Sequence, residues 1–191
     1  MTLSGRSTLG AVAMAVGAAL HRAGVAAVLT GGACASFYTR GAYQSLDIDF
    51  VVVGSATQAA VDRALGSLGF SRKGDRYVHA RIHYFIEFPR GPLAIGDDYR
   101  IRPVSRRGRA GRALMLSASD ACRDRLAAFY HWSDRQSLEV AVAIALAQRV
   151  DLAAIRRWSQ REGFPHRFEE FASVLRRRRA RRRRRMVSFP Q

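Results

Sequence analysis

The spacing of apolar residues changes several times along the first hundred positions, and each change predicts a new element. Leu9, Val12, Val16 and Leu20 recur at intervals of three or four residues, which is the spacing of one helical face. Beyond them, short apolar runs closed by glycine predict strands, and Ser55 is a suitable N-cap for another helix. The predicted elements are helix 9–20, strand 25–32, helix 33–41, strand 46–53, helix 55–70 and a hairpin that ends at 88.

From position 117 onward the pattern is helical. Ser117 and Asp120 stand in the Ser-x-x-Asp relation of a capping box. Helical spacing continues over 137–149, 151–163 and 166–175. We therefore predict an α+β protein in which a mixed sheet with flanking helices precedes a C-terminal helical bundle. The predicted units are a core over 1–98, a basic connector over 99–116, a helical region over 117–175 and a disordered Arg-rich tail over 176–191.

Charge adds a prediction about partners. The chain has 32 Lys and Arg residues against 15 Asp and Glu, a net charge of +17. Nine arginines lie within 176–185, and Lys73 is the sole lysine. Because arginine forms bidentate contacts with phosphate, nucleic acid, nucleotide phosphates and anionic lipid headgroups are candidate partners. A GC-rich coding sequence would explain the choice of arginine over lysine, but not the excess of cations.

Cysteine content and hydropathy bear on the cellular compartment in which the protein is expected to occur. Cys34 and Cys122 are too few for a disulfide framework, and they are expected to be small buried side chains in a reducing cytoplasm. No stretch reaches the ~18 apolar residues of a membrane span. The sequence therefore predicts a cytoplasmic protein with no membrane partner.

Two carboxylates mark the start of the second predicted strand. Asp47 and Asp49 are two residues apart, so on a strand they project from the same face. Fourteen residues separate them from Gly31-Gly32, where backbone N–H groups at a helix N-terminus attract anions. Glu87 lies on a later strand, and three carboxylates suit a two-metal site for phosphoryl chemistry. In the alternative interpretation, one Asp caps a turn and the other pairs with an arginine.

These motifs resemble the DNA polymerase β-like nucleotidyltransferase superfamily. The segments LTGGACASFYTRG, EFPRGPLAIGDD and CRDRLAAFYHW are similar to bacterial toxin nucleotidyltransferases of abortive-infection and toxin–antitoxin systems. The resemblance covers roughly 25–149. Gly31-Gly32 stands where that superfamily usually has Gly-Ser, and the spacing to Asp47 is at the long end.

The resemblance implies roles for particular residues. Asp47 and Asp49 would bind two Mg²⁺ ions, and Glu87 would help to hold the ion that activates the attacking hydroxyl. The residues implied for nucleotide binding are Gly31, Gly32, Ser36, Arg123 and Arg125. Arg123 and Arg125 could alternatively pair with Asp120 and Asp124 at the surface.

The resemblance also implies a function, in which a nucleoside monophosphate passes from an NTP to RNA, with the 3′ end of tRNA as a candidate acceptor. The protein would then be a toxin neutralised by an antitoxin protein. Apart from the resemblance, Arg106, Arg107 and Arg109 lie in the basic connector, which follows the proposed site in sequence, and we expect them to position the RNA. Two alternatives stay open, namely transfer to a protein hydroxyl and a catalytically inactive RNA-binding module. A third, weaker alternative is a ribonuclease, because Arg125 to His131 loosely imitates the Arg-x4-6-His motif of some helical ribonucleases.

Overall fold

The computed structural model describes residues 3–187, which form seven helices and seven strands. The helices are α1 (Leu9–Arg22), α2 (Gly31–Tyr38), α3 (Gln58–Gly66), α4 (Ala118–Trp132), α5 (Arg135–Ala147), α6 (Leu152–Arg161) and α7 (Pro165–Val187). The strands are β1 (Ala27–Leu29), β2 (Asp47–Val52), β3 (Phe70–Lys73), β4 (Arg76–His79), β5 (Ile82–Glu87), β6 (Val104–Gly108) and β7 (Gly111–Met115). No helix in this part of the chain is long and apolar enough to cross a membrane.

All seven strands join one mixed sheet, in the order β3-β4-β5-β2-β1-β7-β6. At its centre, β2 runs parallel to β5 and antiparallel to β1, while β1 runs parallel to β7. The four helices α4–α7 form the C-terminal part of the chain. The predicted α+β class, with a mixed sheet followed by helices, is confirmed.

The two faces of the central strands differ in polarity. Ile48, Phe50 and Ile86 are fully buried, and Gly17 of α1 lies so close to this face that a Cβ there would be 2.6 Å from the Cβ of Ala113. Because side chains alternate along a strand, Asp49 and its neighbours of the same parity lie on the opposite face. The covered face thus forms part of the core, whereas the opposite face carries Asp47 and Asp49 at the start of β2 and the buried apolar Val51 further along it.

Two of the predicted caps were tested by the structure. The Ser117 side chain accepts a hydrogen bond from the backbone N–H of Asp120 at 3.1 Å, as the capping box predicts. Helix α3 is instead capped by Thr57, whose Oγ1 accepts from the N–H of Ala60 at 3.3 Å. The predicted cap at Ser55 is therefore wrong by two residues.

The predicted basic connector over 99–116 is largely a hairpin of the sheet. Strands β6 and β7 pair in antiparallel register from Val104↔Met115 to Gly108↔Gly111. Ala113 and Met115 of β7 are buried, whereas the arginines of β6 are exposed. Strand β6 could not be predicted from alternating polarity, because an edge strand tolerates charged side chains on both of its sides.

Helix α7 overturns the prediction of disorder over residues 176–187, while residues 188–191 lie outside the described part of the chain. Phe168, Phe171 and Leu175 anchor its first turns in the core. Further along, Arg179 and Arg182 donate to the backbone carbonyls of Ala145 (3.2 Å) and Leu146 (3.4 Å), at the end of α5. Arginine is a strong helix former, and these acceptors offset part of the repulsion among like charges.

The sheet and the helices share one core. A continuous cluster of buried residues includes Leu29 and Ile86 of the sheet, Leu126 of α4 and Phe171 of α7. The predicted boundary at residue 116 therefore does not divide the hydrophobic core. Cys34 and Cys122 are both buried free thiols, as expected.

Candidate active site

Strand register brings the three predicted carboxylates to one face of the sheet. In the parallel pair β2–β5, Asp49 is the direct partner of Glu87, and Asp47 is the partner of Phe85. Residues paired in this way project to the same side, so Asp47, Asp49 and Glu87 share a face. Asp47 is exposed, and Asp49 and Glu87 are partly buried. We refer to these three residues as the carboxylate face.

The N-terminus of α2 lies against this face. The backbone N–H of Thr30 donates to the carbonyl of Asp49 at 3.0 Å, which fixes the turn from β1 into α2. Gly31 follows with φ +63°, and a Cβ at this position would clash with the Asp49 carboxylate. At Gly32 a Cβ would lie 2.8 Å from Oγ of Ser45. The two glycines are therefore needed for the close approach of α2 to β2.

The electrostatics of the carboxylate face favour a bound cation. Burial, reinforced by the neighbouring charges of Glu87, Asp47 and Asp124, raises the pKa of Asp49 to about 6. Arg125 opposes this shift only in part. Carboxylate oxygens are the donors that Mg²⁺ prefers, so the chemistry of the donor set fits a divalent ion.

The same side chains do not yet enclose an ion. Among residues 3–187, no three His, Cys, Asp or Glu side chains converge in an arrangement that could hold a metal. The predicted metal cluster is therefore present as three carboxylates on one face and not as a closed cage.

Helix α4 contributes a charged pair opposite Asp49. Arg125 binds the Asp124 carboxylate through Nε (3.0 Å) and through a terminal nitrogen (2.7 Å). The guanidinium also lies within electrostatic range of Asp49 and of the Tyr43 hydroxyl. The structure thus brings Arg125 to the carboxylate face, but in the Asp124 pairing that the sequence offered as an alternative to nucleotide binding.

Arg123 belongs to a different cluster. Its guanidinium pairs with Asp98 at 2.6 Å and Asp120 at 3.0 Å, and it lies 4.9 Å from the ring centre of Trp158. Only 12% of the side chain is exposed. Arg123 therefore links the loop after β5 to α4 and α6, and this position does not suit the predicted nucleotide-binding role.

Ser36 also lies away from the carboxylate face. It is almost fully buried and lines a cavity of about 500 Å³ together with Thr8 and Tyr84. Tyr84 has the strand parity of the covered face, opposite to Glu87. Of the three residues predicted to cradle phosphates, only Gly31 and Gly32 adjoin the carboxylates.

The arginines predicted to bind RNA are exposed on the β6–β7 hairpin. Arg107 pairs with Arg112, and following the register across the sheet places both on the side of Asp49. Arg106 has the opposite parity and lies within electrostatic range of Tyr38. Strand β6 is three strands from β2, or about 14 Å at the usual strand separation.

Sequence reasoning missed two residues near the site, namely Tyr43 and Arg76, and it considered Asp124 only as a surface partner of Arg125. Arg76 is the cross-strand partner of Glu87, and its guanidinium lies 4.4 Å from the ring centre of Phe85. Strand parity in the predicted hairpin could have identified Arg76. Tyr43 lies in a turn and carried no local signal, and the approach of Asp124 to Asp49 depends on how α4 packs against the sheet.

The ribonuclease alternative loses its geometric basis. Arg125 faces Asp49, whereas His131 packs its ring against Phe164 and lies 3.9 Å from Glu162. The Arg and His of the Arg-x4-6-His motif therefore contact different groups of residues and do not form one site.

The comparisons with known proteins are sparse. No known protein-family pattern matches the sequence, and no curated protein matches it. A solved structure, the antibiotic-resistance factor ANT(2'')-Ia in solution, aligns over 92% of this chain and 95% of its own, with 12% identity and a TM-score of 0.44. A likeness at this identity and TM-score defines neither a reaction nor a substrate for this chain.

Proposed function

We propose that this chain is a Mg²⁺-dependent nucleotidyltransferase that transfers a nucleoside monophosphate from an NTP to an RNA acceptor. The observation that supports the proposal is the register of β2 and β5, which puts Asp47, Asp49 and Glu87 on one face beside the N-terminus of α2. Carboxylates and a helix N-terminus together suit a metal-bound triphosphate.

In the proposed reaction, the acceptor hydroxyl oxygen forms a bond to the α-phosphorus of the NTP, and the bond to pyrophosphate breaks. Mg²⁺ held by Asp47, Asp49 and Glu87 would neutralise phosphate charge and activate the nucleophile. The first N–H groups of α2, at Gly31 and Gly32, lack acceptors within the helix and are assigned to the triphosphate.

Arg125 is assigned to the nucleotide through an exchange of partners. It is paired with Asp124 beside Asp49, and a phosphate offers the same bidentate geometry as a carboxylate. The exchange would deliver a positive charge to the triphosphate. Arg107 and Arg112 extend positive charge along the same face of the sheet, which favours an RNA acceptor.

The narrower parts of the proposal rest on the resemblance to toxin nucleotidyltransferases. These parts are the 3′ end of tRNA as acceptor, a toxin role with an antitoxin partner, and a cytoplasmic location. A second candidate function is a catalytically inactive RNA-binding module, and the open arrangement of the carboxylates favours it.

Incorporation of label from each of four α-labelled NTPs tests the proposal. The protein is incubated with total RNA and either Mg²⁺ or EDTA, and the acid-insoluble product is divided between ribonuclease and protease treatment. We expect label that depends on Mg²⁺ and is released by ribonuclease. Release by protease alone would indicate a protein hydroxyl as acceptor. RNA binding without any incorporation would leave the inactive module as the function.

A further inference from the structure

The helical part of the chain contains a groove that the proposed reaction does not use. It lies between α6 and α7, has a volume of about 460 Å³ and is floored by Leu152, Ala153, Phe168, Ala172 and Leu175. Of these, Ala153 is exposed, and Leu152 and Ala172 are partly exposed. We call this surface the α6–α7 groove.

The rim of the α6–α7 groove is positively charged. Arg156 and Arg157 line it from α6, and Arg176 and Arg179 line it from α7, with no acidic side chain among the lining residues. Arg156 pairs with Glu169 at 3.1 Å, and Arg179 donates to the carbonyl of Ala145. Within residues 3–187, the side chains of Arg157 and Arg176 make no hydrogen bond or ion pair, so both can bind a partner's anions.

We propose that the α6–α7 groove binds an acidic amphipathic helix of a partner protein. Apolar side chains spaced i, i+3 or i+4, and i+7 along one face of such a helix would contact the floor. Asp and Glu on its flanks would pair with the four rim arginines. The proposal is independent of the nucleotidyltransferase function, because no residue of the carboxylate face takes part.

The floor distinguishes a protein helix from RNA as the occupant. Single-stranded RNA gains affinity from exposed aromatic rings on which its bases stack. The one aromatic residue of the floor, Phe168, is buried, and the Arg156 guanidinium already covers its ring at 5.0 Å. The remaining floor is aliphatic, which an apolar helix face desolvates and a phosphate backbone does not.

A designed peptide provides the probe. It is a fluorescein-labelled 16-residue helix with leucine on one face and glutamate elsewhere, and its control has the same composition in an order that distributes leucine around the helix. Binding to the full chain is measured by fluorescence anisotropy, in parallel with a labelled 16-nucleotide RNA. We expect the amphipathic peptide to bind at least about tenfold more tightly than its permuted control, or about 1.4 kcal/mol.

Two sets of variants locate the binding. The pair Arg157→Glu and Arg176→Glu should weaken peptide binding about tenfold. Arg63→Glu and Arg81→Glu make an equal change of charge in α3 and in the turn between β4 and β5, and they should change peptide binding less than twofold. Ala172→Phe fills the groove without altering charge and should weaken the peptide about fivefold while leaving RNA binding unchanged. Circular dichroism verifies that each variant is folded.

Several outcomes would overturn the proposal. Equal affinity for the two peptides would mean that only charge is recognised. Equal weakening of peptide binding by the two charge-reversal pairs would place binding elsewhere. Loss of RNA binding together with peptide binding in Ala172→Phe would make RNA the occupant. Because none of these measurements uses NTP or Mg²⁺, an absence of nucleotidyl transfer would not affect them.

Discussion

The carboxylate face and helix α7 both crowd like charges, but the chain holds the two groups in different ways. Asp49 and Glu87 are fixed side by side by the register of β2 and β5 and are partly buried. The arginines of α7 are exposed, and several are bound by α5, as in the contact of Arg178 with Glu139 at 2.9 Å. Repulsion is relieved by solvent and salt at α7, whereas at the carboxylate face burial and like charges raise the pKa of Asp49 to about 6, so a proton or a bound cation would relieve it there.

The largest expected effect comes from removing a carboxylate. If the chain transfers nucleotides as proposed, Asp47→Asn and Asp49→Asn should each reduce the rate by at least about 100-fold, since in the proposed reaction each carboxylate helps to hold the Mg²⁺ that stabilises the transition state. Initial rates of incorporation of labelled NTP into RNA measure the effect. Asp75→Asn, in the exposed turn between β3 and β4, is the matched control and should retain the full rate. Near wild-type rates in either site variant would show that the carboxylate face is not catalytic.

The next effect in size concerns the β6–β7 hairpin, which belongs to the same sheet as the carboxylates, with β7 two strands and β6 three strands from β2. Replacing Arg106, Arg107 and Arg109 by glutamine should lower turnover about tenfold, because misplacing the acceptor affects the reacting geometry. The control triple is Arg63, Arg72 and Arg81, at the other side of the sheet. Equal rates for the two triple variants would remove the hairpin from RNA positioning.

Helix α7 is expected to act on RNA only through charge. Arg176, Arg181 and Arg183 are exposed, and replacing all three by glutamine should reduce the slope of log affinity against log salt by about 2. Each phosphate contact on a single strand contributes roughly 0.7 to that slope, and three contacts would be lost. The transfer rate at saturating RNA should not change. Filter binding over a range of KCl gives the slope, and identical slopes would leave α7 without a role in RNA binding.

The smallest expected effect is on stability, and it tests whether the charge of Asp49 destabilises the folded chain. Because the pKa of Asp49 is raised to about 6 in the folded chain, its folded form holds a proton more tightly than the unfolded form does. The corresponding stability is present at low pH and is lost as pH rises from about 4 to about 6. Asp49→Asn abolishes this loss, so in EDTA its melting temperature should exceed that of the wild type by about 2–4 °C at pH 7.

At pH 4, where Asp49 is largely protonated in the folded chain, the two proteins should melt within about 1 °C of each other. Differential scanning calorimetry at both pH values provides the comparison. A lower melting temperature for Asp49→Asn at pH 7 would mean that the carboxylate stabilises the fold, contrary to the burial and like charges around it.

Local periodicity was sufficient to predict only part of the carboxylate face. Period-two alternation placed Asp47 and Asp49 on one side of β2. The position of Glu87 beside Asp49 depends on the parallel pairing of β2 with β5, which joins residues far apart in sequence. Helical geometry also argues against one of the predictions for α4. Arg123 and Arg125 are two residues apart on a helix, so they lie on nearly opposite sides and could not both reach one nucleotide.

Long-range partners decided the features that sequence reasoning missed. The charge run after Leu175 predicts self-repulsion, but the carbonyls of Ala145 and Leu146 that bind Arg179 and Arg182 lie more than thirty residues earlier. Strand β6 likewise owes its conformation to pairing with β7 rather than to its own composition. In both cases the stabilising groups are distant in sequence, and no local pattern records them.

The outermost strands of the sheet suggest another use for arginine. Strands β3 and β6 form the two edges, where unpaired backbone groups are open to a strand of another molecule. Arg72 and Lys73 are exposed on one edge, and Arg106 and Arg107 on the other. Charged side chains at such positions discourage edge-to-edge association and the growth of intermolecular sheets. Part of the positive charge of this protein therefore protects it from aggregation, whatever ligands the remainder binds.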